Sequence, residues 1–364
     1  MKTERFEALD AFRGLCALFV MLYHMNVTDT ITEFSFFRNS KIFVEFFFVL
    51  SGFVLAHVYA FENKYDFKKY IKARFLRLYP LHFVMFSLFI VLQLVKLLLY
   101  NLGITSFEVL PFSEKSSILN IATNLLLLQS WTPYTYHLSF NAPSWSISIE
   151  FYLYILLFIS FLIFRKYKLI SWVLISSTSF ILLYLDSKLV VRPVLSGLSC
   201  FFGGASVYAI FRQISDKKPS YFWGTFIEIL LLIGIGTTIV SHLPYKNIFA
   251  SVFFLFTVPF FALEVGFISK LLRKHFLQCL GKLSFSIYMT HFFIIFCSIW
   301  FFKIIQHFTS TSIVYQSNSH IYIDFGNILI NNIFVIFSII VVIFVSKITH
   351  KYIELPFQRL YKRV

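Results

Sequence analysis

The first apolar segment of the chain carries three residues whose types and spacing suit acid–base and ion-pair chemistry. Asp10, Arg13 and His24 lie within ALDAFRGLCALFVMLYHMNV, and His24 follows Arg13 by eleven residues. In a helix this interval is close to three turns, so the two side chains share one stripe about 16 Å long. Asp10 precedes Arg13 by one turn on nearly the same stripe. The segment therefore predicts a charge pair near one membrane surface and an imidazole deep in the membrane.

This separation would suit a thioester of coenzyme A, which has a polyanionic head and a long thin arm that ends at the reactive carbonyl. Cations at the inner surface could hold the phosphates while the arm reaches the imidazole of His24. A plainer interpretation is equally open. Asp10 and Arg13 would then be an interfacial ion pair, and His24 a packed polar side chain.

Two further carboxylates lie in apolar segments from which they could approach His24. Glu45 is in VEFFFVLSGF and Glu150 is in APSWSISIEFYLY, each toward the outer side of its segment. A carboxylate hydrogen-bonded to one imidazole nitrogen would fix the tautomer and stabilise the imidazolium that forms when the other nitrogen takes a proton. Glu228 and Glu264 are predicted to be structural or interface residues.

Two other clusters allow both a functional and a structural interpretation. Arg74 and Arg77, in KYDFKKYIKARFLRLYP, would share a helix face and could grip phosphate together, although a basic helix lying on anionic lipid has the same pattern. Ser284, Tyr288 and His291 follow each other at helical spacing, as a site or as interhelical hydrogen bonding would require.

The composition predicts the elements that position these residues. Of the 364 residues 58% are hydrophobic and 13% are charged, with a mean hydropathy of +0.77, whereas soluble domains are about a quarter charged. Long apolar runs separated by short polar stretches are typical of transmembrane helices. We predict an all-α polytopic membrane protein with ten spans, at approximately residues 9–27, 42–61, 79–100, 144–164, 169–186, 193–211, 221–241, 247–268, 283–303 and 327–346.

The charge distribution favours an orientation with both termini in the cytoplasm. With residues 118–131 treated as re-entrant or interfacial, the inner segments hold 23 lysines and arginines and the outer segments hold 7. Topology and anionic lipid thus account for most of the net charge of +15, and nucleic-acid binding is not needed to explain it. We expect one membrane domain over residues 1–364, with no fused periplasmic domain and no cleaved signal peptide.

Several classes of function have no motif in the chain. The sequence contains no Walker, HExxH, GxSxG or glycine-rich dinucleotide motif, so hydrolase, kinase and dehydrogenase functions are not indicated. The four cysteines are scattered, which predicts no metal site.

Six motifs, in order along nearly the whole chain, resemble the acyltransferase 3 family of membrane O-acyltransferases. Each motif alone is weak, but six in sequence with a matching topology are specific. They are Asp10, Arg13, Gly14 and His24; Phe47, Phe48, Ser51 and Gly52; Arg74, Arg77 and Pro80; Trp145, Ser146 and Glu150; Gly281, Ser284, Tyr288 and His291; and Glu354 and Pro356.

The resemblance implies roles for these residues. His24 would be the essential catalytic residue, and Asp10 and Glu150 are candidates to assist it. Acyl-CoA would be a co-substrate rather than a tightly bound cofactor, with Arg13, Arg74, Arg77 and Glu354 on its side, although Glu354 could also be a solvated surface residue. Contacts to the acceptor are assigned to the set Glu45, Trp145, Ser146, Tyr288 and His291.

The expected reaction moves an acyl group, preferably acetyl, from cytoplasmic acyl-CoA to a hydroxyl of a surface or lipid-linked carbohydrate at the bacterial inner membrane. His24 could act as a general base or carry the acyl group covalently. The alternatives are a transporter or flippase of a glycan-pathway substrate, and a structural partner of glycan-assembly enzymes. One departure from the family is Cys16, where relatives often have Ala, and many relatives also carry a periplasmic esterase-like domain.

Overall fold

The computed structural model describes residues 5–61, 66–103, 110–309, 311–317 and 320–362. Within these ranges the chain forms α-helices and one antiparallel β-hairpin. The helices are α1 (Glu7–His24), α2 (Ser35–Arg38), α3 (Phe43–Tyr59), α4 (Phe67–Asn101), α5 (Ile118–Leu125), α6 (Ser144–Phe164), α7 (Lys168–Tyr184), α8 (Arg192–Ile214), α9 (Tyr221–Val240), α10 (Lys246–Ala262), α11 (Phe267–Leu272), α12 (His275–Thr309), α13 (Ile328–Thr349) and α14 (Leu355–Lys362), and the hairpin pairs β1 (Val314–Ser317) with β2 (His320–Ile323).

Every predicted span coincides with a helix. In the described part of the chain, seven helical stretches are long and apolar enough to cross a membrane, as expected for a multi-pass membrane protein. One of them joins α6 and α7, between which Arg165 has a φ of 37° and interrupts the helix. α1 carries three charged residues and α10 is 17 residues long, so these two are not among the seven. The total of ten spans and the cytoplasmic position of both termini remain predictions, and residues 1–4, 363 and 364 lie outside the described residues.

Two pairs of glycines let helices cross in backbone contact. A Cβ atom at Gly281 of α12 would lie 2.3 Å from the carbonyl oxygen of Asp10, and one at Gly14 of α1 would lie 2.5 Å from the carbonyl carbon of Leu280. Gly52 of α3 and Gly204 of α8 approach the facing backbone as closely. Small residues at such crossings replace the hydrophobic driving force that membrane helices lack. α1 and α12 are therefore fixed against each other at one point of each helix.

The structure supports treating residues 118–131 as a segment that does not cross the membrane. α5 spans only eight residues, about 12 Å of helix, and the chain then turns at Leu127, whose φ is 56°. The turn is tied to the first part of α6, since the Ser148 hydroxyl donates to the Leu127 carbonyl and Gln129 donates to the Ser144 carbonyl. This segment thus packs against a helix start and is held there by side-chain hydrogen bonds.

Two features differ from the sequence-based expectations. Arg74 and Arg77 do not belong to a separate helix on the lipid surface, because α4 runs unbroken from Phe67 through Pro80 into the predicted span at 79–100. Residues 64 and 65 of that basic segment lie outside the described residues. The segment 304–326, which is predicted to be outer, contains the hairpin. The hairpin was not predicted, and Val27 bridges to Ile323 of β2.

Two acids that were predicted to be structural each cap a helix. The Glu228 carboxylate is fully buried and accepts hydrogen bonds from the backbone N–H groups of Gly266, Ile268 and Ser269 and from the Ser269 hydroxyl, at the start of α11. Glu264 accepts from the backbone N–H of Ala8 in the first turn of α1 at 2.9 Å. Carboxylates at helix N-termini satisfy free N–H groups and complement the helix dipole.

Glu228→Gln is expected to destabilise the protein by about 1–3 kcal/mol, because the amide presents an NH2 group to backbone donors and leaves them unsatisfied in a buried site. The thermal midpoint of the detergent-solubilised protein, followed by fluorescence size-exclusion chromatography, measures this. Glu114→Gln at an exposed site is the control and should leave the midpoint unchanged. Equal midpoints for the two variants would contradict the capping role.

Candidate active site

A polar cavity lies where α1, α3, α4, α6 and α12 meet. Its volume is about 60 Å³. Five of the residues predicted for the site line it, and the remaining walls are mostly apolar. The five are Arg13, Arg77, Ser146, Glu150 and Tyr288.

Glu150 is held in the cavity wall from two sides. Its Oε1 accepts a hydrogen bond from the Ser51 hydroxyl of α3 at 2.5 Å and another from the Tyr154 hydroxyl one turn later on α6. The two hydroxyls hold one oxygen of the Glu150 carboxylate in place. Ser51 was noted only as part of a motif, and its contact with Glu150 was not predicted.

The arginines of the cavity lie among carboxylates. Arg13 Nη1 is 3.4 Å from Asp10 Oδ1, which confirms the predicted pair, and Arg5 also contacts Asp10. Arg77 interacts electrostatically with Glu150, Glu354 and Asp10. Its positive charge repels that of Arg13. The positive charges of this end of the cavity are thus largely compensated by the protein itself.

Glu354 belongs to this charge cluster. It closes a π-helical turn, His350–Glu354, and only 7% of its side chain is exposed, so the alternative of a solvated surface residue is wrong. Its Oε2 accepts a hydrogen bond from the Ser286 hydroxyl of α12 at 2.8 Å and lies 3.0 Å from His350 Nδ1, at ion-pair distance. The C-terminal segment is thereby attached to the helix that carries Tyr288 and His291.

Arg74 and Arg77 do not form the joint grip that their spacing predicted. Arg77 lines the cavity, whereas Arg74 donates to the Tyr59 hydroxyl at 3.3 Å and lies over the rings of Tyr59 and Tyr154, 5.6 and 6.0 Å from their centroids. Because Tyr154 bonds Glu150, Arg74 supports the cavity wall from behind.

The imidazole of His24 faces a second imidazole. The rings of His24 and His291 are 5.2 Å apart between centroids, and the Phe292 ring is 5.3 Å from that of His24. Each histidine lies ten residues after the glycine of the α1–α12 crossing, Gly14 or Gly281. The two helices touch at these glycines and run in the same direction. The two histidines therefore lie at the same height along the helix axes, about 15 Å beyond the glycines.

The carboxylate partner predicted for His24 is not present among the described residues. Glu150 bonds Ser51 and Tyr154, as stated above. Glu45 is 8% exposed and accepts a hydrogen bond from the Ser196 hydroxyl of α8 at 3.3 Å. Glu45 therefore bonds α8 and also interacts electrostatically with Tyr288, and its assignment to the acceptor contacts stays a prediction.

Ser146 and Tyr288 connect the cavity with the two histidines. Their hydroxyls are 2.8 Å apart, and that of Tyr288 also donates to the Pro143 carbonyl at 2.9 Å. The Tyr288 ring is 6.0 Å from that of His291. Trp145 instead packs on Phe48, with ring centroids 6.1 Å apart, and is not among the residues that line the cavity.

Polar groups lie at intervals along the seam between α1 and α12, and this series of groups is termed the path. The ion pair of Asp10 and Arg13 stands at the cavity end of the path, whereas His24 and His291 stand at its other end, outside the residues that line the cavity. The chemistry of the path fits a substrate with a polar or charged end and a reactive centre about 16 Å away, where an imidazole can accept a proton.

Comparison with known proteins assigns the family. The chain matches the acyltransferase domain family over residues 6–350. Protein 2 in the picA locus of Rhizobium radiobacter is 33% identical over 164 residues, which are 40% of this chain and 78% of that protein. Acyltransferase MdmB of Streptomyces mycarofaciens is 31% identical over 170 residues, which are 42% of this chain and 38% of that protein. No solved structure matches the chain. Since the family match spans nearly the whole sequence, the chain belongs to the acyltransferase 3 family, as its six motifs predicted.

Proposed function

We propose that this protein transfers an acyl group, preferably acetyl, from cytoplasmic acyl-CoA to a hydroxyl of a cell-surface or lipid-linked carbohydrate at the bacterial inner membrane. The observation that carries the proposal is the path between Arg13 and His24, in a chain that belongs to an acyltransferase family. Its length suits the arm of a coenzyme A thioester, and its far end holds His24, whose imidazole is suited to accept a proton.

In the proposed step, neutral His24 takes the proton of the acceptor hydroxyl as its oxygen attacks the thioester carbonyl. The new C–O bond forms, the C–S bond breaks, and the leaving thiolate receives the proton from His24. The residues also fit a covalent acyl-His24 intermediate. Rapid-quench trapping without acceptor separates the two routes, because only the second leaves labelled protein.

The charge balance of the cavity refines the expected role of its arginines. Arg13 is already paired with Asp10, and Arg77 interacts electrostatically with Glu150, Glu354 and Asp10, so we expect the two arginines to offer directed N–H donors more than net positive charge. Such donors suit the amides and the thioester of the donor arm. The phosphates of the donor then bind nearer the cytoplasmic surface, where exposed lysines such as Lys72 begin α4.

The proposal is tested by acyl transfer itself. Cells that lack the gene are complemented with the wild-type chain or an empty vector, and their surface glycans are compared by NMR. Purified protein in nanodiscs is then supplied with radiolabelled acetyl-CoA and the de-acylated glycan. Acyl signals that depend on the wild-type chain support the proposal. Identical glycans, or movement of glycan across the membrane without acyl transfer, would instead favour an assembly partner or a flippase.

Arg77→Ala is expected to raise the KM for acetyl-CoA about tenfold or more and to change kcat by less than about threefold. The substitution removes N–H groups that would contact the arm of acetyl-CoA equally in the ground state and in the transition state. Steady-state kinetics in nanodiscs measure both constants. Lys188→Ala, at a site that is 87% exposed and lies on the predicted outer side, is the control and should leave the KM unchanged. An unchanged KM in the Arg77 variant would remove Arg77 from the donor site.

A further inference from the structure

His291 has one committed and one free ring nitrogen. Its Nδ1 lies 3.0 Å from the Ile287 carbonyl oxygen on the preceding turn of α12. Because a carbonyl can only accept, Nδ1 carries the proton, and in a neutral imidazole Nε2 is then an acceptor. Nε2 is buried, belongs to a side chain that is 0% exposed, and has no hydrogen-bond partner in the structure. A buried acceptor without a donor costs about 1–3 kcal/mol, so the site favours a donor at this position.

The ring of His24 is placed to supply that donor. The two rings are 5.2 Å apart between centroids and inclined by 34°. The outer torsion of a histidine side chain has a broad energy minimum, so rotation of the His24 ring can direct an N–H group to Nε2. Phe292 packs against the other part of the His24 ring and keeps it at this level of the seam.

We propose that His291 is a positioning residue for His24: its Nε2 accepts the N–H of His24 and thereby holds the other nitrogen of His24 free toward the reacting groups. The inference rests on the proposed function, and it replaces the carboxylate that the sequence suggested with a neutral acceptor. A neutral His24 has one donor and one acceptor nitrogen, so fixing the donor fixes where the lone pair points.

The proton balance of the reaction is unaffected by this arrangement. When His24 takes the hydroxyl proton it becomes an imidazolium with two N–H groups, one of which stays donated to His291. His24 then gives the other proton to the thiolate. His291 keeps its own Nδ1 proton, bonded to the Ile287 carbonyl, throughout.

Kinetics of two His291 variants test the proposal. His291→Phe keeps the ring but removes the acceptor, and we expect kcat to fall about 100-fold with both KM values within about threefold. His291→Gln restores an acceptor oxygen and should regain at least about tenfold in kcat. His82→Phe is the matched control, since His82 is as buried, is also bonded to a backbone carbonyl through one nitrogen and lies on α4 outside the site. It should keep kcat within about threefold.

Three outcomes would overturn the proposal: His291→Phe with unchanged kcat, a rise in KM alone, or no recovery in His291→Gln. A wild-type protein without transfer activity would instead overturn the proposed function. Should a variant not fold, ¹⁵N NMR of histidine-labelled wild-type protein gives an independent test. We expect His291 protonated on Nδ1 and a changed His24 signal in His291→Gln, and a His291 protonated on Nε2 contradicts the inference.

Discussion

His24→Ala is expected to lower the rate of acyl transfer by about 10²–10⁴-fold, the range for loss of a general base. The substitution removes the imidazole at the end of the path but leaves the cavity around Arg13 and Glu150 intact, so the KM for acetyl-CoA should change by less than about threefold. Initial rates in nanodiscs with radiolabelled acetyl-CoA and de-acylated glycan measure this. In cells, the glycan should lose its acyl signals in the NMR spectrum at equal protein expression.

His242→Ala is the control for this prediction, because His242 is exposed beyond the end of α9 and contributes nothing to the path. It should behave as the wild type. If the His24 variant keeps more than about a tenth of the wild-type rate at the same thermal stability, His24 is not the catalytic base. The base would then be a group at the cavity end of the path.

Gly281→Ala, which adds a single methyl group, is expected to lower the stability of the protein strongly. The added Cβ would lie 2.3 Å from the carbonyl oxygen of Asp10, and backbone cannot rotate away as a side chain can. α1 and α12 must then separate, and overpacking of this kind costs about 1–3 kcal/mol or more. We expect a lower yield of monodisperse protein and a lower thermal midpoint, together with loss of activity because His24 and His291 move apart.

The chain offers a matched control in Gly236 of α9, where an added Cβ meets nothing within 4 Å. There alanine should be neutral or stabilising by up to about 1 kcal/mol, because alanine has a higher helix propensity than glycine. The two substitutions are chemically identical, so the difference between their thermal midpoints isolates the contact between helices. Equal midpoints would mean that the crossing has room for a methyl group.

The sequence was informative where the physical constraint is local. Hydropathy located the helix of each predicted span, since a segment in lipid must satisfy its own backbone. The spacing of Asp10 and Arg13 predicted their ion pair. Glu228, for which the sequence shows no partner, was assigned to a structural or interface role, and the helix cap fits that assignment. The family could also be predicted, because its six motifs occur in order along the sequence.

The rotation of each helix about its axis could not be predicted. α3 and α6 are apolar all round, so no amphipathic stripe shows which neighbour Glu45 or Glu150 faces. Glu45 faces Ser196, and Glu150 faces Ser51 across nearly a hundred residues of sequence. Contacts of this kind depend on packing between distant segments, on which local pattern has no bearing.

The contact between His24 and His291 did leave a signal in the sequence. Both segments carry a glycine followed by a histidine ten residues later, and parallel helices that cross at the glycines must bring the histidines together. The pattern becomes meaningful only when the two helices are known to be neighbours. The structure supplies that knowledge.

The close pairing of α1 with α12 also has a consequence for how the protein is made. During synthesis the first helix enters the membrane with Asp10, Arg13 and His24, and the helix that covers them emerges only after most of the chain has been translated. Charged groups exposed to hydrocarbon are costly, so α1 is held weakly until α12 arrives. The residues proposed to carry out the chemistry thus leave the first helix without its main partner until α12 has been made.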